Sequence, residues 1–223
     1  MENKKIFAGY LGLSIVYLFL ILTNQASIAL FVKPILIPFL ILGVYFNNLF
    51  SSKKLLLTAL TFSWFGDIIL LFSDLDDLFF LAGLFAFLIS HITYILLFNK
   101  QLKYKNRKNK AIYWIGVTII IVYLFVLISI LLPSLANLTI PVFIYALVIS
   151  TMLLFAFKGF LNWEEPGNWY ALIGAIVFVI SDSILAFDKF YAPIMMSSFL
   201  IMITYLIAQY LIVIGILKLN QKK

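Results

Sequence analysis

Long unbroken runs of apolar side chains dominate the 223-residue chain, separated by short clusters of polar and charged residues. Eight runs stand out, at residues 6–23, 27–46, 53–72, 78–98, 111–132, 140–157, 169–187 and 194–217. Each is close to the ~20 residues that a bilayer core requires of a helix. Backbone groups in lipid must bond within their own segment or in a closed barrel, so runs of this kind predict helices rather than open strands. The connections between them are too short to hold a soluble domain. The pattern predicts an all-α integral membrane protein, a single domain over residues 1–223 with eight transmembrane helices.

The two halves show a faint likeness. Asp67-Ile-Ile-Leu-Leu-Phe72 is echoed by Asp182-Ser-Ile-Leu-Ala-Phe187, Ile92-Thr-Tyr94 by Ile203-Thr-Tyr205, and Pro34 by Pro141. Each pair links run n with run n+4. A four-helix duplication preserves orientation, so the expected arrangement is a parallel 4+4 repeat about an axis along the membrane normal.

Composition narrows the function classes. Hydrophobic residues make up 65% of the chain and charged residues 11%, which excludes a disordered chain and argues against a water-soluble domain. There is no cysteine, so disulfides, thiolate nucleophiles and cysteine zinc sites are excluded. A single histidine rules out sites needing two or three imidazoles. No metal and no cofactor is implied. The net charge of +7 points to membrane orientation and not to nucleic acid, because of where it lies. With the N-terminus inside, 14 of the 16 Lys and Arg fall on inner segments or inner helix ends, from Lys4 and Lys5 to Lys222 and Lys223. The outer loops carry only Lys189, and Lys33 lies within a span. This bias predicts both termini in the cytoplasm. Trp114, Trp163 and Trp169 fall near predicted inner helix ends, as an aromatic belt would. Asp74, Asp76 and Asp77 fall in an outer loop and read as solvated; Asp188 and Lys189 read as interfacial. The first run is about 18 residues long with no A-x-A site after it, so it reads as a retained span and not a signal peptide. The basic segment 99–110 reads as an inner loop that could touch anionic lipid.

Asp67, Asp182 and Lys33 remain inside the predicted spans, with His91, Tyr94, Tyr205 and Gln209 as the other notable polar groups. A charge at mid-bilayer costs roughly 2.5–3.5 kcal/mol on insertion scales, so these side chains are expected to face the bundle interior. At 1.5 Å per residue, Asp67, Asp182 and Lys33 each lie roughly 8–9 Å from the outer boundary, while His91 and Gln209 lie deeper, roughly 20 Å. Helical spacing gathers Gly83, Phe87, His91 and Tyr94 on one side, Gly174, Phe178 and Asp182 on another, and Ser198, Met202, Tyr205 and Gln209 on a third. Ser63 and Asp67 share a side too. Bland readings stand beside the functional one. Either aspartate could be a structural partner of Lys33, His91 a packing residue, Tyr205 and Gln209 interhelical hydrogen-bonding groups, and Ser63 and Ser183 backbone-bonded serines. Two carboxylates facing one lysine in a low dielectric rarely both stay ionised, however, and a protonated acid beside an ionised one is a general acid–base pair.

These residues, in this order, resemble the YhhN-type lysoplasmalogenase family of multi-pass membrane hydrolases. The matching pieces are Lys33-Pro34; Ser63-Trp-Phe-Gly-Asp67; Gly83, Phe87, His91 and Tyr94; the stretch from Gly174 to Phe190 with Ser181-Asp-Ser183 at its centre; and Thr204-Tyr-Leu-Ile-Ala-Gln209. The resemblance runs from about residue 28 to 215. It implies eight spans and hydrolysis of the vinyl-ether bond of a lysoplasmalogen or related lysophospholipid. The products would be a fatty aldehyde and a glycerophospho-alcohol. The expected place is a bacterial inner (plasma) membrane, with the lipid bilayer and the lysolipid as partners and no signal for an oligomeric state. Protonating the β-carbon of a vinyl ether gives an oxocarbenium ion that water captures. Asp67 and Asp182 would supply acid and base in either order, supported by Lys33, His91, Tyr94, Ser181, Tyr205 and Gln209. Other classes stay open on the residues alone. A small proton-coupled transporter would suit aspartates and a repeat. An intramembrane aspartyl protease also uses two aspartates, but Trp64 stands where its usual Gly-x-Gly-Asp has the first glycine. A zinc-dependent amidase would need more than one histidine, and a purely structural protein would use no chemistry.

Overall fold

The computed structural model describes residues 2–102 and 110–221. It contains eight α-helices: α1 (Glu2–Leu22), α2 (Ala26–Tyr45), α3 (Lys53–Leu70), α4 (Asp77–Gln101), α5 (Lys110–Leu131), α6 (Thr139–Phe160), α7 (Gly167–Phe190) and α8 (Ser197–Asn220). Two 3₁₀ turns, Leu132–Ser134 and Ala136–Leu138, join α5 to α6, and no strand occurs among the described residues. All eight apolar runs are therefore helices, with ends shifted by no more than about one turn. The shifts have local causes. Helix α4 continues through Asn99, Lys100 and Gln101 because polarity alone does not end a helix. Helix α8 starts late because Ile194 belongs to a turn: its N–H donates to Asp188 Oδ1 at 2.7 Å, and Met196 takes a left-handed conformation with φ 60°. Of the basic segment predicted at 99–110, residues 103–109 lie outside the described residues, as do Lys222 and Lys223.

Among the described residues, seven helices are long and apolar enough to cross a membrane, which makes the chain a multi-pass integral membrane protein. The exception is α3, whose 18 residues include Lys53, Lys54 and Asp67.

The chain divides into two compact units, Met1–Leu97 and Phe98–Lys223. In the first, α1 packs on α2 and α2 on α3. Pro34 and Pro38 both lie inside α2. Pro38 has no N–H to offer the carbonyl four residues back, so the Pro34 oxygen loses its helical donor. Trp64 of α3 replaces it, donating its indole N–H to Pro34 O at 2.7 Å. Lys53 closes the α2–α3 connection, donating from Nζ to Tyr45 O and Asn47 O at 2.7 Å each. A cation there meets the unpaired carbonyls at the end of α2. Helices α3 and α4 are joined by serines. Ser90 donates to Ala59 O at 2.8 Å, which commits its only hydrogen. Ser63 must then be the donor in its 2.8 Å bond to Ser90 Oγ. Ser63 thus reaches across to a neighbouring helix, beyond the backbone bonding expected of it. Asp76 Oδ1 accepts from Leu78 N at 2.8 Å and caps the start of α4.

In the second unit α5 packs on α6, α6 on α7 and α7 on α8, and α5 also touches α7. The α7–α8 seam is the closest. A Cβ on Gly215 would lie 2.7 Å from Ala171 N, and one on Gly174 would lie 2.9 Å from Ile212 N. Small residues let two backbones meet, and in lipid such close packing replaces the hydrophobic effect as the source of cohesion. Between α5, α6 and α7 the contact is made by larger side chains, with Leu127, Leu131, Leu135, Val142 and Ala146 buried together.

Candidate functional site

Each unit builds a polar cluster around one aspartate. In the first unit Asp67 is 4% exposed, near the C-terminal end of α3. Lys33 of α2 lies within electrostatic reach of its carboxylate. The Trp64–Pro34 bond holds the two helices in the register that brings them together. A third residue joins them. Tyr17 of α1 is buried and also lies within electrostatic reach of Asp67. Tyr17 was not singled out from the sequence, although a signal exists: Tyr10, Ser14 and Tyr17 step by four and three along one face of an otherwise apolar helix.

His91 and Tyr94 are both fully buried on α4. The Phe87 ring covers Gly66, and the His91 ring lies 6.5 Å from that of Phe87. The Ser63–Ser90 bond places His91 about five residues along the axis from the level of Asp67, roughly 7.5 Å. It is thus deeper than the carboxylate, by less than the sequence estimate.

In the second unit Asp182, half-buried on α7, faces α5 and α6. Tyr145 of α6 donates its phenol hydrogen to Asp182 Oδ2 in a short hydrogen bond. Tyr123 of α5 bonds Ser183 Oγ at 2.5 Å, and Ser183 donates to Val179 O at 2.5 Å. With the serine hydrogen committed, Tyr123 is the donor to Ser183. Asp182, Tyr145, Tyr123 and Ser183 line a cavity of about 30 Å³ whose remaining walls are aliphatic, among them Leu127, Val142 and Val179. The two tyrosines were missed from sequence because a phenol in an apolar run is unremarkable until its hydroxyl is located.

The α7 face carrying the cluster is not the one that spacing proposed. Gly174 and Phe178 face α8: Gly174 meets Ile212, and the Phe178 ring lies edge-on to Tyr205 with centroids 5.6 Å apart. Ser181 stays on that side, donating to Ile201 O at 2.9 Å. Steps of four residues drift by about 40° each on a helix of 3.6 residues per turn, so by Asp182 the stripe has rotated onto the α5–α6 side. Tyr205 and Gln209 are buried in the α7–α8 seam and bond each other, with Gln209 Nε2 donating to Tyr205 Oη at 3.3 Å. Within this unit, Ser181, Tyr205 and Gln209 thus belong to the helix seam, while the carboxylate opens to the cavity. Ser198 of the same predicted stripe is exposed. Among the described residues, no three His, Asp or Glu side chains converge as metal ligands would.

Chemically, the arrangement offers two carboxylates inside helices, one with a cation beside it and one held by a phenol. No solved structure matches the chain. The sequence model of the YhhN family matches residues 28–216, a stretch that takes in Lys33, Asp67, His91, Tyr145 and Asp182, and the chain belongs to the YhhN family.

Proposed function

We propose that the protein is a membrane hydrolase that cleaves the vinyl-ether bond of a lysoplasmalogen or a related lysolipid. The family match carries this reading, because it spans both aspartates and the residues around each. In the proposed reaction an aspartic acid delivers a proton to the β-carbon of the vinyl ether. The resulting oxocarbenium ion is captured by a water whose proton passes to the other carboxylate. The hemiacetal then collapses, releasing a fatty aldehyde and a glycerophospho-alcohol. Atoms balance with one water consumed and no cofactor. Asp67 and Asp182 are the acid and base. Lys33, next to Asp67, balances its charge or meets the lipid phosphate. His91, Tyr94, Ser181, Tyr205 and Gln209 support the helices that hold them.

The same proposal includes eight spans, both termini in the cytoplasm of a bacterial inner membrane, and a parallel 4+4 repeat. The clusters support the repeat. In each unit the third helix carries the aspartate, and the first helix brings a tyrosine within electrostatic reach of it: Tyr17 for Asp67 and Tyr123 for Asp182. The boundary between the units also falls between the fourth helix and the fifth, give or take one turn.

The test is aldehyde release from lysoplasmalogen by purified protein in lipid nanodiscs. Asp67→Asn and Asp182→Asn keep shape but cannot exchange a proton, so each is expected to lower turnover about 10²–10⁴-fold. The double variant is expected to lose far less than the product of the single losses, since groups that act as a unit are not additive. Near wild-type rates in both single variants would remove the reading.

A further inference from the structure

Three helices of the first unit bring a phenol, a cation and a carboxylate to one level. Helices α1 and α2 run antiparallel, and two close approaches fix their register: a Cβ on Gly43 would lie 2.7 Å from the Phe7 ring, and one on Gly9 would lie 2.9 Å from the Phe39 ring. Counting on from these pairs sets residues 15–17 opposite residue 33, which puts Tyr17 level with Lys33. The Trp64–Pro34 bond fixes α3 against α2 in the same way. It sets residue 65 opposite residue 33, so Asp67 lies about 3 Å further along the axis. Tyr17 and Asp67 are buried, and Lys33 is half-buried. Phenol and ammonium both lie within electrostatic reach of the carboxylate. They stand near it without touching it. Among the described residues, no hydrogen bond or ion pair joins either of them to Asp67 or commits Tyr17 Oη or Lys33 Nζ elsewhere. Two donors, one of them charged, thus have hydrogens to give. A cation inside a bundle is expensive, and a carboxylate held at a distance offsets only part of that cost. The ligand that such a pair recognises is an anionic oxygen able to accept from both.

We propose that Tyr17 and Lys33 form the subsite that receives the phosphate of the lysolipid, beside Asp67. This rests on the reading of the chain as a lysolipid hydrolase. It adds α1, which precedes the stretch matched by the family model, to the parts that hold substrate. The placement suits a headgroup. Lys33 lies toward the start of α2, and Tyr17 and Asp67 lie toward the ends of α1 and α3, so all three stand near one membrane boundary. A lysine stem can carry its charge from there to the level of the lipid phosphates. The distances within the substrate fit as well. The carbons of glycerol separate the phosphate of a lysolipid from its vinyl ether. A phosphate held by Lys33 and Tyr17 therefore leaves the vinyl ether a short way off, and the carboxyl that stands near both donors without touching them is within its range.

The probes are a saturated 1-alkyl lysophospholipid, which has no vinyl ether to cleave, and the 1-alkylglycerol that lacks its phosphate. Equilibrium titration of each radiolabelled lipid against purified protein in nanodiscs gives the preference for phosphate as a ratio of affinities. Wild type is expected to prefer the phospholipid about 10- to 100-fold, because hydrogen bonds to a charged group are the strong ones. Lys33→Met is expected to lose most of that preference, and Tyr17→Phe to reduce it about 3- to 10-fold, with binding of the alkylglycerol little changed in either. A merely structural role would weaken both lipids together. Lys33→Met is also measured with Asp67→Asn, which restores the balance of charge should the single variant fold poorly. Tyr10→Phe, earlier on the same α1 stripe, is the control and is expected to keep the wild-type ratio. Inorganic phosphate is expected not to displace the phospholipid; displacement would make this a site for free phosphate and overturn the lipid assignment. Equal affinity of wild type for the two lipids, or a wild-type ratio in the Lys33 variants, would overturn the subsite. Loss at Lys33 with none at Tyr17 would overturn the part given to α1. Failure of the hydrolase reading looks different: no vinyl-ether lysolipid would then release aldehyde, while the saturated pair still reports whether the phosphate is held.

Discussion

Lys33 and Asp67 show what a charge inside a helix bundle requires. Each interrupts a long apolar run, and such interruptions are legible because burying charge in lipid is expensive. Their proximity on adjacent helices gives each a counter-charge. Lys33→Met is therefore expected to lower thermal stability in detergent, since it leaves Asp67 without its neighbouring cation. Adding Asp67→Asn to that variant is expected to recover stability, with a coupling on the order of 0.5–3 kcal/mol by a double-mutant cycle. Strict additivity would mean that the two do not act on each other. Asp74→Asn, exposed in the α3–α4 connection, serves as the comparison and is expected to change little. The tyrosines were less legible than the charges. A phenol costs little in an apolar run, so nothing in the pattern separates Tyr145, which holds a carboxylate, from one that merely fills space. Only the position of its hydroxyl does so.

Between residues and units, the helices carry a lesson about period. The eight runs became eight helices because a long apolar run suffices to find a helix, and seven of them are also long and apolar enough to cross a membrane. Faces were harder to read. A stripe drawn every four residues stays true for two turns and then drifts, which is why Gly174 and Phe178 meet α8 while Asp182 opens toward α5 and α6. Neither could the sequence show what Trp64 does. Its place before Phe65-Gly-Asp67 read as a departure from a protease motif, whereas it supplies the donor that Pro38 cannot. Trp64→Phe keeps an aromatic ring and deletes that donor. It is expected to cost about 1–3 kcal/mol, the penalty for an acceptor left without a partner away from water, and to loosen the α2–α3 register that brings Lys33 to Asp67. Chemical unfolding of the two proteins in one detergent measures the first effect. A fall in the Lys33–Asp67 coupling energy, repeated in the Trp64→Phe background, measures the second. An unchanged coupling would show that the helices keep their register by packing alone.

Topology turns on α3, the one helix among the described residues whose charges leave it short of a span. Two of its three charges stand at its first residues, and Lys53 is spent on the carbonyls of the α2–α3 connection. From Leu55 to Leu70 only Asp67 is charged, and it is buried in its unit and not turned to lipid. If α3 crosses, both termini lie on one face with 14 of the 16 Lys and Arg. If it does not, every later segment changes side, and ten of those residues, from Lys100 to Lys223, move to the opposite face from Lys4 and Lys5. The positive-inside bias strongly favours the crossing. The chain has no cysteine, so single cysteines can be introduced without background. Ser51 and Asp74 are exposed on either side of α3. In intact cells, Asp74→Cys is expected to react with a membrane-impermeant maleimide, and Ser51→Cys only after the membrane is opened. Reporters active only outside the cytoplasm are expected to stay silent when fused to either terminus. Equal labelling of the two cysteines in intact cells would place α3 on one side of the membrane, reverse every segment after it, and withdraw the eight-span arrangement on which the 4+4 repeat depends.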